Sequence, residues 1–122
     1  MPVAALLIAH GSRRAEANAD LVQLAEIVLS KEIFPIVEIA YLDVVQPDVP
    51  TGIRRCITQR ATEVRMLPYF LSAGAHVVDD LEHYRSQFAA EFPDVKFTIC
   101  PPLGLDPLMV DLVLKRLDQA SN

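Results

Sequence analysis
The sequence is poor in the residues that announce nucleotide chemistry. Its four glycines never form GxGxxG, nor GxxxxGK followed by Ser or Thr, which excludes a dinucleotide fingerprint and a P-loop. GxSxG is missing too, so Ser12 beside His10 completes no hydrolase arrangement. Cysteine is scarce: Cys56 and Cys100 form no CxxC pair, and two reduced thiols of a cytosolic protein are expected. Charge is sparse, at 22% of residues with a formal net charge of −5, which counts against nucleic acid and anionic membranes as partners. The basic pairs Arg13 with Arg14 and Arg54 with Arg55 read equally well as solvated surface residues. There is no basic leader, and the apolar run Val3–Ala9 is too short for a signal or a membrane span. The expectation is a soluble cytoplasmic protein.

What the chain has is apolar bulk. Apolar residues make up 52% of the 122, too many for disorder and enough to fill the core of one domain over residues 1–122. Val3–Ala9 is continuously apolar, as a strand buried on both faces should be. Leu21, Leu24, Ala25, Val28 and Leu29 follow at helical spacing. Pro35 separates that helix from a second strand over 36–42, rich in β-branched residues. Pro47 and Pro50 suit a helix start, and Val49, Ile53 and Ile57 carry a helix to about Arg60. A third strand is read over 63–71, with Pro68 marking where its regular ladder ends. Val77, Leu81, Tyr84 and Phe88 mark a third helix, closed by Pro93. The fourth strand, over 95–100, stops at Pro101-Pro102. Asp106 and Pro107 start a last helix, with Leu108, Leu112 and Leu117 as its core face. Four β-α units with right-handed crossovers predict an α/β fold, a four-stranded parallel sheet with helices on both faces. A sheet this small leaves room for a partner subunit to complete a pocket.

Two of the three histidines stand at equivalent places. His10 follows the first strand in Ala9-His10-Gly11-Ser12-Arg13, and His76 follows the third after Ser72-Ala73-Gly74-Ala75. In an open parallel sheet such turns line the carboxyl edge, where ligands bind. Two imidazoles there can hold a divalent metal or move protons; a hydrogen-bonded structural histidine is the plainer alternative for each. His83 lies two turns beyond His76, roughly 10 Å at helical rise, and reads as a surface residue. Asp79 and Asp80 read either as acceptors orienting an imidazole or as charges in the first turn of a helix. Ser72 to Ala75 lead into a helix N-terminus whose free N–H groups suit carboxylates, and the Gly11-Ser12 turn reads the same way. Gly74 is read as a positive-φ or close-approach position, against a plain tight turn.

Ala9-His10-Gly11-Ser12-Arg13, Phe34-Pro35-Ile36-Val37-Glu38-Ile39, and Pro68-Tyr69-Phe70-Leu71-Ser72-Ala73-Gly74-Ala75-His76 with Asp80 together resemble the short, single-domain sirohydrochlorin chelatases. These are class II chelatases of the cobalt- and nickel-inserting type. The resemblance continues through Pro102-Leu103-Gly104-Leu105-Asp106-Pro107. It implies a chelatase-like (flavodoxin-like) half-lobe, insertion of a divalent metal substrate (Co²⁺, Ni²⁺ or Fe²⁺) into sirohydrochlorin, no nucleotide or redox cofactor, and a homodimer. It implies that His10 is proton acceptor and metal ligand, that His76 is the second metal ligand, and that Leu71, Ser72, Ala73, Gly74 and Ala75 contact substrate. Ser12 and Arg13 are read as further donors to the macrocycle's carboxylates. One position departs: Gln46, before Pro47, stands where the family often has glutamate. Glutamine keeps the hydrogen-bonding reach and loses the charge; Asp43 is a candidate to compensate.

Metal insertion gives each part a task. The ion must shed water and two pyrrole N–H protons must leave. One imidazole takes a proton and a second holds the ion with coordination positions left open. Two further readings stand beside this one. A carrier of tetrapyrrole or metal without turnover is motivated by Gln46. A flavodoxin-like signalling domain is disfavoured, because Pro68-Tyr69-Phe70 occupies the place where it needs an aspartate.

Overall fold
The computed structural model describes residues 1–120. Eight elements alternate: β1 (Val3–Ala9), α1 (Ala15–Ser30), β2 (Ile36–Tyr41), α2 (Val49–Thr58), β3 (Glu63–Pro68), α3 (Ala75–Glu91), β4 (Lys96–Ile99) and α4 (Pro107–Gln119). The strands form one parallel sheet in the order β2-β1-β3-β4, as the four β-α units predict. β1 is central and apolar throughout, with Ala4 to Ile8 all buried. It pairs on both sides, Leu6 lying opposite Glu38 of β2 and Met66 of β3. β3 stops at Pro68, three residues short of the expected end at Leu71. Proline has no N–H for the ladder, and Phe70 N–H turns back onto the Pro68 carbonyl at 2.9 Å.

Side chains alternate across the sheet, and this divides the core. Ala4, Leu6 and Ile8 pack with Val49, Ile53 and Cys56 of α2 and with Leu81 and Phe88 of α3. On the opposite face Leu7 packs with Leu21 of α1 and Tyr41, flanked by half-buried Leu24 and Ala25. Helices therefore cover both faces, but unevenly. Burial pushes the Cys56 thiol up to about 12, with the Glu38 charge adding to it. Both cysteines are free thiols. No helix among the described residues is long and apolar enough to cross a membrane.

Two expected core faces are corrected. On α1, Leu29 is exposed, and Leu21 is the residue the helix buries. On α4, Leu108, Leu112 and Leu117 are 79%, 39% and 65% exposed, and the helix buries nothing. Helical spacing marks an apolar face without saying whether the chain's own sheet covers it. The start of α4 is as expected: Asp106 accepts from Leu108 N–H at 2.9 Å, with Pro107 in the first turn. A cavity of about 480 Å³ opens between Leu67, Cys100 and Pro102 on one side and Leu108 and Leu112 on the other.

Candidate functional site
From β1 the chain moves to β2 on one side of the sheet, then crosses to β3 on the other. Ligands of such sheets bind beyond the carboxyl ends of the strands at that switch point. His10 leaves β1 there, and the loop from β3 through Phe70 leads to His76 in the first turn of α3. The His10 imidazole stacks on the buried Phe70 ring, with centroids 4.2 Å apart and planes 29° off parallel. Both histidines are exposed residues.

The His10 turn is fastened peptide by peptide. Leu42 N–H donates to the Ala9 carbonyl and Asp43 N–H to the His10 carbonyl, both at 2.9 Å, extending the contact between β1 and β2 past Tyr41. Gly11 has φ +95°, and a Cβ on it would lie 2.2 Å from the Asp43 carbonyl oxygen. Only glycine passes there without strain. Ser12 N–H donates to Asn18 Oδ1 at 2.9 Å, and Asn18 Nδ2 donates to the Ser12 carbonyl at 2.7 Å. The Tyr41 hydroxyl donates to the Asn18 carbonyl at 2.9 Å. The expectation of a free anion-binding N–H at Ser12 is therefore corrected, because Asn18 already holds it. The Ser12 hydroxyl accepts from Arg14 N–H at 3.1 Å and keeps its own proton to donate. Arg13 is exposed beside it.

The His76 turn is looser. Leu103 N–H donates to the Phe70 carbonyl at 2.9 Å and Gly104 N–H to the Leu71 carbonyl at 2.7 Å. Beyond that, Leu71, Ser72, Gly74, Ala75 and His76 are exposed and Ala73 is half-buried. Gly74 is the N-cap of α3 with φ −72°, and a Cβ there would meet nothing within 4 Å. The positive φ expected of it is absent. With no side-chain cap, the first N–H groups of α3 point out of the helix unpaired by side chains. Asp79 and Asp80 are exposed and lie beyond the first turn, which holds no acidic residue. His83 is exposed, edge-on to Tyr84.

Gln46 spends its side chain on its own turn. Its Oε1 accepts from Asp48 N–H at 2.9 Å and its Nε2 donates to Asp48 Oδ2 at 3.4 Å. Asp48 in turn caps α2 through Thr51 N–H at 2.9 Å, and the Thr51 hydrogen bond holds the Asp48 carboxyl below its ordinary range. Gln46 lines a shallow groove with Tyr41, Val45 and α1. Asp43, the candidate to compensate for it, turns Oδ1 to Val44 N–H and steadies His10 with its backbone.

Among the described residues no group of three or more His, Cys, Asp or Glu side chains could hold a metal. A pair of imidazoles offers an ion few ligands and leaves positions open for another donor set. Phe70 and Asn18 were not legible as site residues. Phe70 carried two signals, its place in the chelatase-like segment from Pro68 to His76 and an aromatic ring two residues past the strand-ending Pro68, but neither gave it a role. Asn18 carried no signal, lying in the polar stretch ahead of Leu21, where the helical spacing begins.

Residues 4–120 match the CbiX family. A chloroplastic sirohydrochlorin ferrochelatase of Arabidopsis thaliana is 32% identical over 92% of this chain and 50% of its own. A sirohydrochlorin cobaltochelatase of Methanocaldococcus jannaschii is 29% identical over 93% of this chain and 96% of its own. The chain thus spans about half the length of the longer curated relatives it matches and nearly all of the shorter. The sirohydrochlorin chelatase SirB from Bacillus subtilis, solved in complex with cobalt, superposes with a TM-score of 0.88 at 28% identity, over 98% of this chain and 51% of that one. A CbiX protein from Marinobacter aquaeolei superposes with a TM-score of 0.80 at 27% identity over the whole of both chains. On a match that runs from β1 through α4, the chain belongs to the CbiX family.

Proposed function
We propose that the protein is a sirohydrochlorin chelatase: a divalent metal enters the macrocycle and two pyrrole N–H protons leave. The observation that carries this reading is the pair of exposed histidines on adjacent turns of one sheet edge, His10 against Phe70 and His76 opening α3. Its relatives' names, sirohydrochlorin ferrochelatase and cobaltochelatase, support it. His10 and His76 ligate the ion from their two turns; as the ion passes to the ring, the His10 nitrogen it leaves takes one pyrrole proton and the second goes to water. Stacking on Phe70 limits the rotation of the imidazole, so the acceptor nitrogen is presented in one orientation. The metal is a substrate, and nitrogen ligands suit Co²⁺, Ni²⁺ and Fe²⁺ alike.

The macrocycle's carboxylates are met by the free N–H groups at the start of α3, the Ser12 hydroxyl and Arg13. The ring lies along Leu71, Ser72, Ala73, Gly74 and Ala75. Gln46 reaches it only by releasing Asp48. A second copy of the chain is the proposed partner, in the cytoplasm. Exposed Val110, Val113, Leu114 and Leu117 recur at i, i+3, i+4 and i+7 and make one apolar face of α4, of the kind that marks an interface. Sedimentation equilibrium tests the pairing; a dimer that Leu114→Lys dissociates is the expected result, and a monomer at all concentrations contradicts it.

Function is tested by anaerobic absorbance spectroscopy of sirohydrochlorin with Co²⁺, Ni²⁺ and Fe²⁺ in turn, each against its uncatalysed rate. Acceleration with at least one metal is expected. A shifted spectrum of bound tetrapyrrole without acceleration would replace the enzyme with a carrier, the reading that Gln46 motivates.

A further inference from the structure
The turn that carries His10 is held by a side chain that no motif singles out. The amide of Asn18 meets both backbone polar groups of Ser12, taking its N–H at 2.9 Å and donating to its carbonyl at 2.7 Å. A donor and an acceptor side by side are needed for this, as a carboxamide provides. Asn18 is itself anchored, since its backbone carbonyl accepts from the hydroxyl of buried Tyr41 on β2 at 2.9 Å. On the other side of the turn, Asp43 N–H holds the His10 carbonyl at 2.9 Å. The residues from His10 to Ser12 are thus strung between the end of β2 and the first turns of α1, with Gly11 pressed against the Asp43 carbonyl. Asparagine is a poor choice for a helix interior on propensity alone. The N-cap residue of α1, Arg14, makes no side-chain capping bond, and α1 buries only Leu21. The helix is therefore tied to the turn chiefly through Asn18.

We infer that Asn18 is a positioning residue. By fixing the Ser12 peptide it keeps the His10 imidazole stacked on Phe70, the arrangement from which a proton would be accepted. Its kinetic consequence rests on the chelatase reading; its geometric consequence does not. Asn18 touches no reacting atom and acts only through Ser12 and His10.

Asn18→Asp and Asn18→Ala test this. The carboxylate keeps the acceptor for Ser12 N–H but turns a second acceptor on the Ser12 carbonyl; alanine removes both bonds. The readout is the proton NMR shift of the His10 ring protons, assigned by their loss in His10→Gln. The Phe70 ring current displaces these signals, and Phe70→Leu defines the unstacked position. Both Asn18 variants are expected to move the signals toward that position. Phe97→Leu, which loosens the β4 edge on the other face of the sheet, is expected to leave them in place however much it lowers Tm. In the insertion assay kcat is expected to fall about 10- to 100-fold, the usual cost of losing a group that orients a metal ligand, with KM nearly unchanged, as for loss of an interaction made in the transition state. A wild-type His10 shift and wild-type kcat in Asn18→Ala overturn the inference, even in a variant that melts early. A wild-type protein that inserts no metal overturns the chelatase reading, and the NMR shifts alone then decide for or against Asn18.

Discussion

The turns carrying His10 and His76 leave neighbouring strands, yet they are built differently. The first is bonded at Ala9, His10 and Ser12, to the end of β2 and to Asn18. The second is bonded at Phe70 and Leu71 and then runs from Ser72 to the start of α3 with only Ala73 half-buried. Each contains a glycine, and the glycines show the contrast most clearly. Gly11 is required by its φ of +95° and its approach to Asp43, whereas Gly74 has φ −72° and open space around it. A group that accepts a proton gains from a fixed orientation, because misplacement is costly in rate. A ligand that must take up an ion and then release it to a macrocycle gains from room to adjust. The rigid turn suits the role proposed for His10, and the open one suits His76 and a bulky substrate.

The same substitution in both turns is the sharpest way to break this comparison. Gly11→Ser is expected to destabilise the protein by well over 1 kcal/mol, because a side chain there is strained and strikes backbone. Urea denaturation measures it, and insertion activity should be lost with it. The turn after β2 gives an intermediate case. Asp48→Ala removes the cap of α2 and should cost about 1 kcal/mol. The Asp48 carboxyl is held below its ordinary range by the Thr51 hydrogen bond. Its contribution is therefore complete above the unfolded value of about 3.9 and disappears as pH falls through the lower folded value. The gap between wild type and variant should accordingly be full at neutral pH and close in acid. The smallest effect, with the opposite sign to Gly11→Ser, is expected for Gly74→Ser. Serine suits the N-cap geometry of this residue, so stability should rise by a few tenths of a kcal/mol. A loss comparable to that of Gly11→Ser would remove the distinction between the turns.

The strands are legible in the sequence because each is a short apolar or β-branched run with proline or glycine near its ends, as at Pro2, Gly11, Pro35 and Pro68. The histidines are legible because both follow such runs. The fate of α4 is not: leucines at helical spacing look the same whether the chain's own sheet or another surface covers them, and here they stay exposed. Gly11 and Gly74 are one residue type with opposite requirements, set by where the Asp43 carbonyl passes. Asn18 acts on the Ser12 peptide, which lies beside it only once the turn has closed. Gln46 reads as a substituted site residue, but the fold ties it to Asp48.

The central claim is that His10 and His76 act together on a metal entering sirohydrochlorin. It is tested most directly by the anaerobic insertion rates of wild type, His10→Ala and His76→Ala, with folding of each verified by circular dichroism. The account predicts acceleration by wild type, the uncatalysed rate for folded His10→Ala, and a reduced rate for His76→Ala that higher metal concentration partly restores. Insertion by His10→Ala at the wild-type rate, with every metal supplied, would contradict it.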